Sequence, residues 1–516
     1  MAETLVLSSY AEGRWGGAGG GAELISAVDS AVVATMPKAP ADSGAMLAYA
    51  RKTGGPALRA LTFAERGRLL RKLAEALSAR KEELYELSFA TGATRMDSAF
   101  DIEGGIGVLY SYASKAKALP ETHLLIEGER EAISKGNFAG QHILTPLRGA
   151  AVHINAYNFP VWGMLEKLAP TFLAGMPAII KPATVTAWLA AAAFRMIIDS
   201  KILPEGAVQL VLGGTGNLFD NLEAEDTVAF TGSAYTATKL RTHPVVVANS
   251  VRFNAEQDSL NASILGPDAA PDAPEFDLFV KEVVREMTQK AGQKCTAIRR
   301  AMVPASLLDA AEKAIVARLA KTTIGDPRNE GVRMGALAGL SQRKDVQDNL
   351  DKLKRETVVV TGSDAPSLIN ADASKGAFLA PTLLRCDKPK AAKLVHEVEA
   401  FGPVSTLMPY DDVASAGELA RAGKGSLVMS LFSNDQKAIA EIVLAAASSH
   451  GRMLLIDRTS GADSTGHGAA LPSLVHGGPG RAGGGEELGG LIGAKHYMQR
   501  TAIQAAPATL DALAGA

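Results

Sequence analysis

Cysteine is scarce in this chain, with two in 516 residues, too few for a disulfide framework. The stretch Met1 to Trp15 has neither a basic region nor a continuous apolar run, so a reducing, cytoplasmic compartment is expected. Long hydrophobic runs are also missing. A membrane-spanning helix needs ~18 to 20 uninterrupted apolar residues, whereas Ala187 to Ile198 is broken by Arg195 and followed by Asp199. Charge of one sign is absent, since 53 basic and 55 acidic residues leave a net charge of -2. No overall field favours nucleic acid or a membrane surface, and any anionic ligand must be held by local groups. The 9 histidines show no short metal-ligand spacing with acidic or cysteine partners, so no metal is expected. Neither a tandem repeat nor a sustained heptad is visible.

The chain does have ample core-forming material. Hydrophobic residues make up 47% of it and the mean hydropathy is +0.08, which at ~150 residues per domain predicts two to four domains. A Gly-rich opening, Gly13 to Gly21, reads as a turn or loose strand connection. Thr62 to Glu65 has capping-box spacing, followed by leucines at helical intervals from Leu69 to Leu87. A second helix is predicted over about Met96 to Ala118. From Glu121 to Ile154 the pattern turns β-like, with His123 to Ile126 and Gln141 to Leu144 separated by glycines, as in an arm or hairpin. Short β-rich runs then alternate with helices: Ala150 to Ile154, a helix near Trp162 to Ala174, Ala178 to Ile180, a helix from Thr186, Val208 to Leu212, and Val228 to Phe230. A second alternating set runs from about Leu260 to Leu455, and both predict parallel βαβ units.

Open α/β sheets bind ligands at strand ends, and several short motifs fall there. Asn155-Ala156-Tyr157-Asn158-Phe159-Pro160, Lys181-Pro182-Ala183-Thr184 and Phe230-Thr231-Gly232-Ser233 each follow a predicted strand. Singly, each is an ordinary turn or strand terminator. Cys295, in Gly292-Gln293-Lys294-Cys295 after the polar, helix-like Lys281 to Lys290, reads equally as a small buried hydrophobe or as a nucleophile. Glu256, beside Asp258, reads as a solvated loop carboxylate or as a base. His142 and His153 read as strand residues, and Cys386 as structural. Gly477 to Gly490 lacks the Gly-Lys-Ser/Thr ending of a phosphate loop and reads as a loop near a substrate mouth or domain junction.

In combination, Asn158-Phe159-Pro160, Lys181-Pro182-Ala183, Phe230 to Ser233, Glu256, Gly292-Gln293-x-Cys295 and Glu399-x-Phe401-Gly402-Pro403 resemble the signature stretches of the NAD(P)-dependent aldehyde dehydrogenase superfamily, in the family's order and over nearly the whole chain. The stretch Pro472 to Glu487 resembles, more narrowly, the dehydrogenase half of the bifunctional ring-opening proteins of phenylacetate breakdown and the stand-alone 3,4-dehydroadipyl-CoA semialdehyde dehydrogenases of the benzoyl-CoA pathway. No hydratase-like module follows, which favours the stand-alone type.

The resemblance implies an α/β fold with a Rossmann-like cofactor domain (residues 1–120 and 149–258), an α/β catalytic domain (259–494) and a β oligomerisation arm (121–148 and 495–516) that pairs two copies into a homodimer. It implies Cys295 as nucleophile, Glu256 as the base that activates water, and Asn158 as oxyanion donor. For the cofactor it implies Lys181 on the adenosine ribose, Glu399 and Phe401 at the nicotinamide end, and Gly232 and Ser233 beside the diphosphate. Three departures stand out. Thr184 replaces the glutamate common in NAD-preferring relatives and favours NADP, with NAD the weaker cofactor. Ala237 stands where a second glycine is frequent, and Asp258-Ser259 replaces the usual paired glycines. The implied substrate is a small-molecule aldehyde, CoA-linked, oxidised to the acid in aerobic aromatic degradation. Two alternatives are a CoA-acylating or general aldehyde dehydrogenase, which Glu256 and Pro472 to Glu487 respectively disfavour, and a non-catalytic nucleotide-binding protein, which retention of Cys295, Asn158 and Glu256 disfavours.

Overall fold

A computed structural model describes residues 4–17, 19–362 and 365–515. The first three residues of the expected 1–120 segment, one within the Gly-rich opening, two within 259–494 and the last of the 495–516 tail lie outside them.

Two seven-stranded sheets carry the chain. In the first, Arg252–Glu256, Thr227–Thr231, Ala151–Ile154, Ala178–Lys181 and Val208–Leu210 run parallel in that spatial order. Ser9–Ala11 and Arg14–Gly16 extend the edge antiparallel, so the Gly-rich opening contains strand rather than only turn. The four inner parallel strands are largely buried apolar runs, as expected where helices cover both faces, while the edge strand Arg252–Glu256 is polar and exposed at its start. Their register pairs Ile154 with Lys181, Phe230 with Ile154, and Thr231 with Glu256. This aligns the carboxyl ends of four strands in one row and gathers the polar residues that follow them.

The second sheet has the order Val358–Thr361, Thr382–Arg385, Val404–Tyr410, Ile298–Pro304, Asn261–Leu265, Ser426–Phe432 and His450–Ile456. All pairs are parallel except the first. A three-stranded antiparallel sheet joins Met498–Ala505, Ala139–Pro146 and Leu125–Ala132.

Helix starts follow local chemistry. Thr62 Oγ1 accepts from the Glu65 amide at 3.2 Å while Glu65 Oε2 accepts from the Thr62 amide at 2.8 Å, a cap worth ~1 kcal/mol. The helix it opens, Phe63–Ala79, buries Leu70, Leu73 and Leu77 in one apolar cluster with residues of Arg95–Ala116 and Trp162–Ala174. Gly67 permits this packing, because a Cβ there would sit 2.2 Å from Ala116 Cβ. Ala470 and Leu488 belong to the same cluster, and helix Leu491–Lys495 rests on Trp162–Ala174. The segment around 470–494, expected with the 259–494 domain, thus packs on the helices of the first sheet. Among the described residues, no helix is long and apolar enough to cross a membrane.

Candidate active site

A cavity of about 770 Å³ lies between the carboxyl edge of the first sheet and loops of the second, bordered by Asn158, Lys181, Gly232, Ser233, Glu256, Cys295, Glu399 and Phe401. Thr184 is the exception among the expected residues. It is exposed, opens a short turn after Lys181, and does not border this cavity. A second space, of about 40 Å³, adjoins Cys295 on another side and is walled by Phe100, Phe159 and Trp162. Phe100 stacks on Trp162 at 5.6 Å between ring centroids. Asn158, Glu256 and Cys295 border both spaces, so the thiol stands at the junction of a large polar cleft and a small aromatic chamber.

The approach to Cys295 differs from the predicted helix over Lys281 to Lys290. The helix is Pro274–Thr288, and Lys290, Ala291 and Gly292 then take left-handed φ values of 53°, 50° and 67°. Two consecutive non-glycine residues in that region cost ~1 to 3 kcal/mol each, and their surroundings hold them there. The Lys290 amide donates to Asp97 Oδ1 at 2.7 Å, and Lys290 Nζ donates to Thr91 Oγ1 at 3.1 Å. Gly292 meets a stricter demand, since a Cβ would lie 2.2 Å from the Gly402 carbonyl oxygen. Asn261 Nδ2 donates to the Cys295 carbonyl at 2.8 Å, and Asn158 Nδ2 donates to the Gln293 carbonyl at 3.0 Å.

Spacing gave no hint of His476. It sits on strand Val475–Gly477, which pairs with Glu486–Leu488, so the expected 477–490 loop is the turn of a hairpin with both strands inside or beside it. Its Nε2 is 2.9 Å from Glu256 Oε2 and 4.0 Å from Cys295 Sγ. Glu256 is 2% exposed. Burial pushes its pKa up, but the His476 and Lys167 charges outweigh this and hold it below the ordinary carboxylate range. Burial lowers His476, and the Glu256 carboxylate overrides it, lifting the imidazole to about 8. Burial and the Glu256 charge both push the Cys295 thiol well up. Although local spacing is absent, the fold brings one ligand atom each of Glu256, Cys295 and His476 within 4.8 Å of one another.

Further buried charges support this centre. Lys167 Nζ lies 3.3 Å from Glu166 and 3.1 Å from Glu487 and donates to Thr231 Oγ1 at 2.7 Å. Glu166 accepts from Trp162 Nε1 at 2.6 Å. Burial and the neighbouring carboxylates lift Glu487 to about 8 against the opposing Lys167 charge. An adjacent Glu-Lys pair in the otherwise apolar helix Trp162–Ala174 was the available signal for these groups. At the cleft's other end, burial raises Glu399 to about 7 despite Arg299 at 3.6 Å.

Asp258-Ser259 now has a physical account. Asp258 Oδ1 accepts from the Ala234 amide at 3.0 Å, at the start of helix Ala234–Arg241, where negative charge is favoured. The Ser259 amide donates to Glu399 Oε2 at 3.2 Å, and Ser259 Oγ accepts from the Leu427 amide at 3.0 Å. Ala237 is buried inside the same helix.

A cysteine beside a buried carboxylate, at the rim of a cleft closed by parallel strand ends, is an arrangement suited to an enzyme with a thiol nucleophile. The model of the Aldehyde dehydrogenase family matches residues 17–502, and the chain belongs to that family. It is 48% identical over 477 residues to 3,4-dehydroadipyl-CoA semialdehyde dehydrogenase of Aromatoleum evansii, covering 92% of this chain and 93% of that protein. It is 27% identical to alpha-ketoglutaric semialdehyde dehydrogenase of Bacillus subtilis (strain 168), covering 73% of this chain and 75% of that one. Betaine aldehyde dehydrogenase from Staphylococcus aureus in complex with NAD+ superposes with a TM-score of 0.84 at 22% identity, over 97% of this chain and 94% of that structure. The protein is an oxidoreductase of aldehydes with the α/β fold expected from its sequence.

Proposed function

We propose that this enzyme oxidises a CoA-thioester semialdehyde to the free acid with NADP, through a thioester on Cys295 that water hydrolyses. The observation that carries this is the position of Cys295 at the junction of the two spaces, with Asn158 and Glu256 bordering both. Sulfur attacks the aldehyde carbon from the aromatic chamber. One Asn158 N–H is committed to the Gln293 carbonyl, which fixes the amide plane and leaves its second N–H for the developing alkoxide. Such a donor is worth ~10²- to 10³-fold in rate.

The large cleft suits a dinucleotide. Its volume of about 770 Å³ falls within the ~300 to 1,000 Å³ of ordinary ligand sites. Gly232 in its wall has no room for a side chain, since a Cβ there would meet the Phe230 ring at 2.7 Å. Lys181, Glu399 and Phe401 border the cleft that would hold the dinucleotide, which when bound would supply a hydride acceptor for the thiohemiacetal carbon. Lys181 and Glu399 would hold the two riboses. Glu256 then takes a proton from water as its oxygen attacks the thioester carbonyl, and Cys295 leaves as thiolate. Lys167, flanked by Glu166 and Glu487, balances the charge behind Glu256. The preference for NADP rests on Thr184, where no carboxylate repels a 2′-phosphate, and on the nearby cationic Lys181.

The CoA-linked semialdehyde substrate is supported by the name of the 48% identical relative; a place in aerobic aromatic degradation rests on the resemblance through Pro472 to Glu487, and a cytoplasmic location on the two cysteines and the lack of an apolar run in Met1 to Trp15. The antiparallel arm has an exposed edge strand bearing half-exposed Ile126, with half-exposed Phe138 in its hairpin connection, which suits strand pairing with a second copy into a homodimer. The test compares kcat/KM for a medium-chain semialdehyde-CoA and a free aldehyde of matching length, each with NAD and NADP, with products resolved by mass. A carrier held outside the chamber helps position the aldehyde, so the CoA substrate and NADP should win in kcat/KM. Equal performance by the free aldehyde would overturn the CoA assignment, and a bis-CoA product would show that water is not the acceptor.

A further inference from the structure

We propose that Glu256, Cys295 and His476 together form a reversible inhibitory site for a borderline-soft divalent cation, best matched by zinc, which silences the enzyme by ligating its nucleophile. The candidate ligand atoms all lie within 4.8 Å of one another, with His476 Nε2 at 2.9 Å from Glu256 Oε2 and 4.0 Å from Cys295 Sγ. Zinc bonds of ~2.3 Å to sulfur and ~2.0 to 2.2 Å to nitrogen and oxygen require tetrahedral edges of roughly 3.3 to 3.6 Å. Side-chain movements of about half an ångström bring the two His476 pairs to coordination spacing, and Glu256 and Cys295 close by up to about 1.2 Å.

A second observation points to an incoming ligand. Glu256 Oε2 is buried and has no aligned hydrogen-bond donor, with His476 Nε2 beside it at 2.9 Å. A buried carboxylate oxygen so incompletely satisfied is costly, and a cation bound between the two would satisfy it. The aromatic chamber next to the cluster, about 40 Å³, exceeds the ~10 to 15 Å³ that one water needs, and so admits the fourth ligand of a tetrahedral ion. Lys167 does not oppose the cation strongly, being offset by Glu166 and Glu487 at 3.3 and 3.1 Å.

Ligand chemistry selects the ion. Thiolate, imidazole and carboxylate together suit zinc, whereas magnesium and calcium prefer all-oxygen sites. Binding forms metal bonds to Cys295 sulfur, His476 Nε2 and a Glu256 oxygen, releases the thiol proton and the imidazolium proton to solvent and changes no oxidation state, so a chelator reverses it. Lys181, Gly232 and Glu399 take no part. Inhibition should thus be competitive with aldehyde and indifferent to cofactor.

The test uses the full-length protein in metal-free buffer. Zinc should abolish turnover competitively with aldehyde, shield Cys295 from iodoacetamide, and be fully reversed by a chelator, while magnesium does nothing. Cobalt(II) should bind one per chain with a thiolate-to-metal charge-transfer absorption that Cys295→Ser lacks; this readout depends on neither substrate nor cofactor. Loss of an outer partner already weakens metal sites ~10- to 100-fold, so His476→Phe and His476→Gln should each weaken zinc at least ~100-fold. Zinc inhibition of unchanged affinity in both His476 variants, cobalt binding without the thiolate band, equal inhibition by magnesium, or no inhibition by zinc would each overturn the proposal.

Discussion

Glu256 can act on water or on the thiol, and the two roles predict opposite signs for one simple measurement. Glu256 and Cys295 present their polar atoms within 4.8 Å of each other, and the carboxylate raises the thiol. At that separation and an effective dielectric of 20, the repulsion between carboxylate and thiolate is about 3 kcal/mol, so Glu256→Gln should lower the thiol pKa and favour the thiolate ~100-fold. Far below that pKa the thiolate fraction rises ~100-fold, while intrinsic nucleophilicity falls by nearly tenfold with a Brønsted slope of ~0.4 to 0.5. The net gain is ~10-fold. Part of it is lost because His476, lifted to about 8 by Glu256, no longer holds its proton beside the sulfur. Iodoacetamide should therefore alkylate Cys295 in Glu256→Gln ~3- to 10-fold faster than in the parent at pH 7. His476→Phe removes the cation but keeps the carboxylate, and should be slower than the parent. A Glu256→Gln variant that alkylates more slowly would refute this reasoning and make Glu256 the base for the thiol.

Three further outcomes follow from named contacts. His476 has a folded pKa of about 8 against an ordinary 6.5, a gap worth roughly 2 kcal/mol. Because the folded value is raised, that stability is complete below pH 6.5 and lost as pH rises through 8, so urea unfolding should show the parent losing its advantage over His476→Phe across that window. Thr184→Glu should shift kcat/KM from NADP toward NAD; a parent that already favours NAD would contradict the argument. Asp258 holds the Ala234 amide at a helix start where a diphosphate would otherwise sit, and helix-end charges are worth ~0.3 to 1 kcal/mol; Asp258→Asn should tighten NADP binding ~2- to 5-fold by fluorescence titration, and weaker binding would show that Asp258 serves only the helix.

Much of the fold was legible because parallel strands are buried on both faces and their apolar runs, such as Ala178 to Ile180, stand out between helices. The row of strand-end motifs was legible for the same reason, since each follows such a run directly. What was hidden depends on long-range packing. His476 reaches Cys295 across 181 positions, on a hairpin of three-residue strands too short to show a period of two. Glu166 and Lys167 form an adjacent charged pair in an otherwise apolar helix, and only the fold shows that Trp162, Thr231 and Glu487 enclose them. The end of the helix before Cys295 was misplaced because Lys290 and Ala291 adopt left-handed backbone, which their side chains do not announce. Thr184 and Asp258 show the opposite case. Their departures were visible in the sequence, but only the contacts reveal that Asp258 caps a helix and that Thr184 faces solvent.

The central claim is a covalent thioester on Cys295 that Glu256 helps water to break. Its most direct measurement is rapid mixing of Glu256→Gln with aldehyde and NADP, followed by intact-protein mass spectrometry. The account predicts a burst of reduced cofactor close to one per active site and, at its end, a single acyl adduct that maps to Cys295. Loss of burst and steady state together, with no adduct, would contradict it.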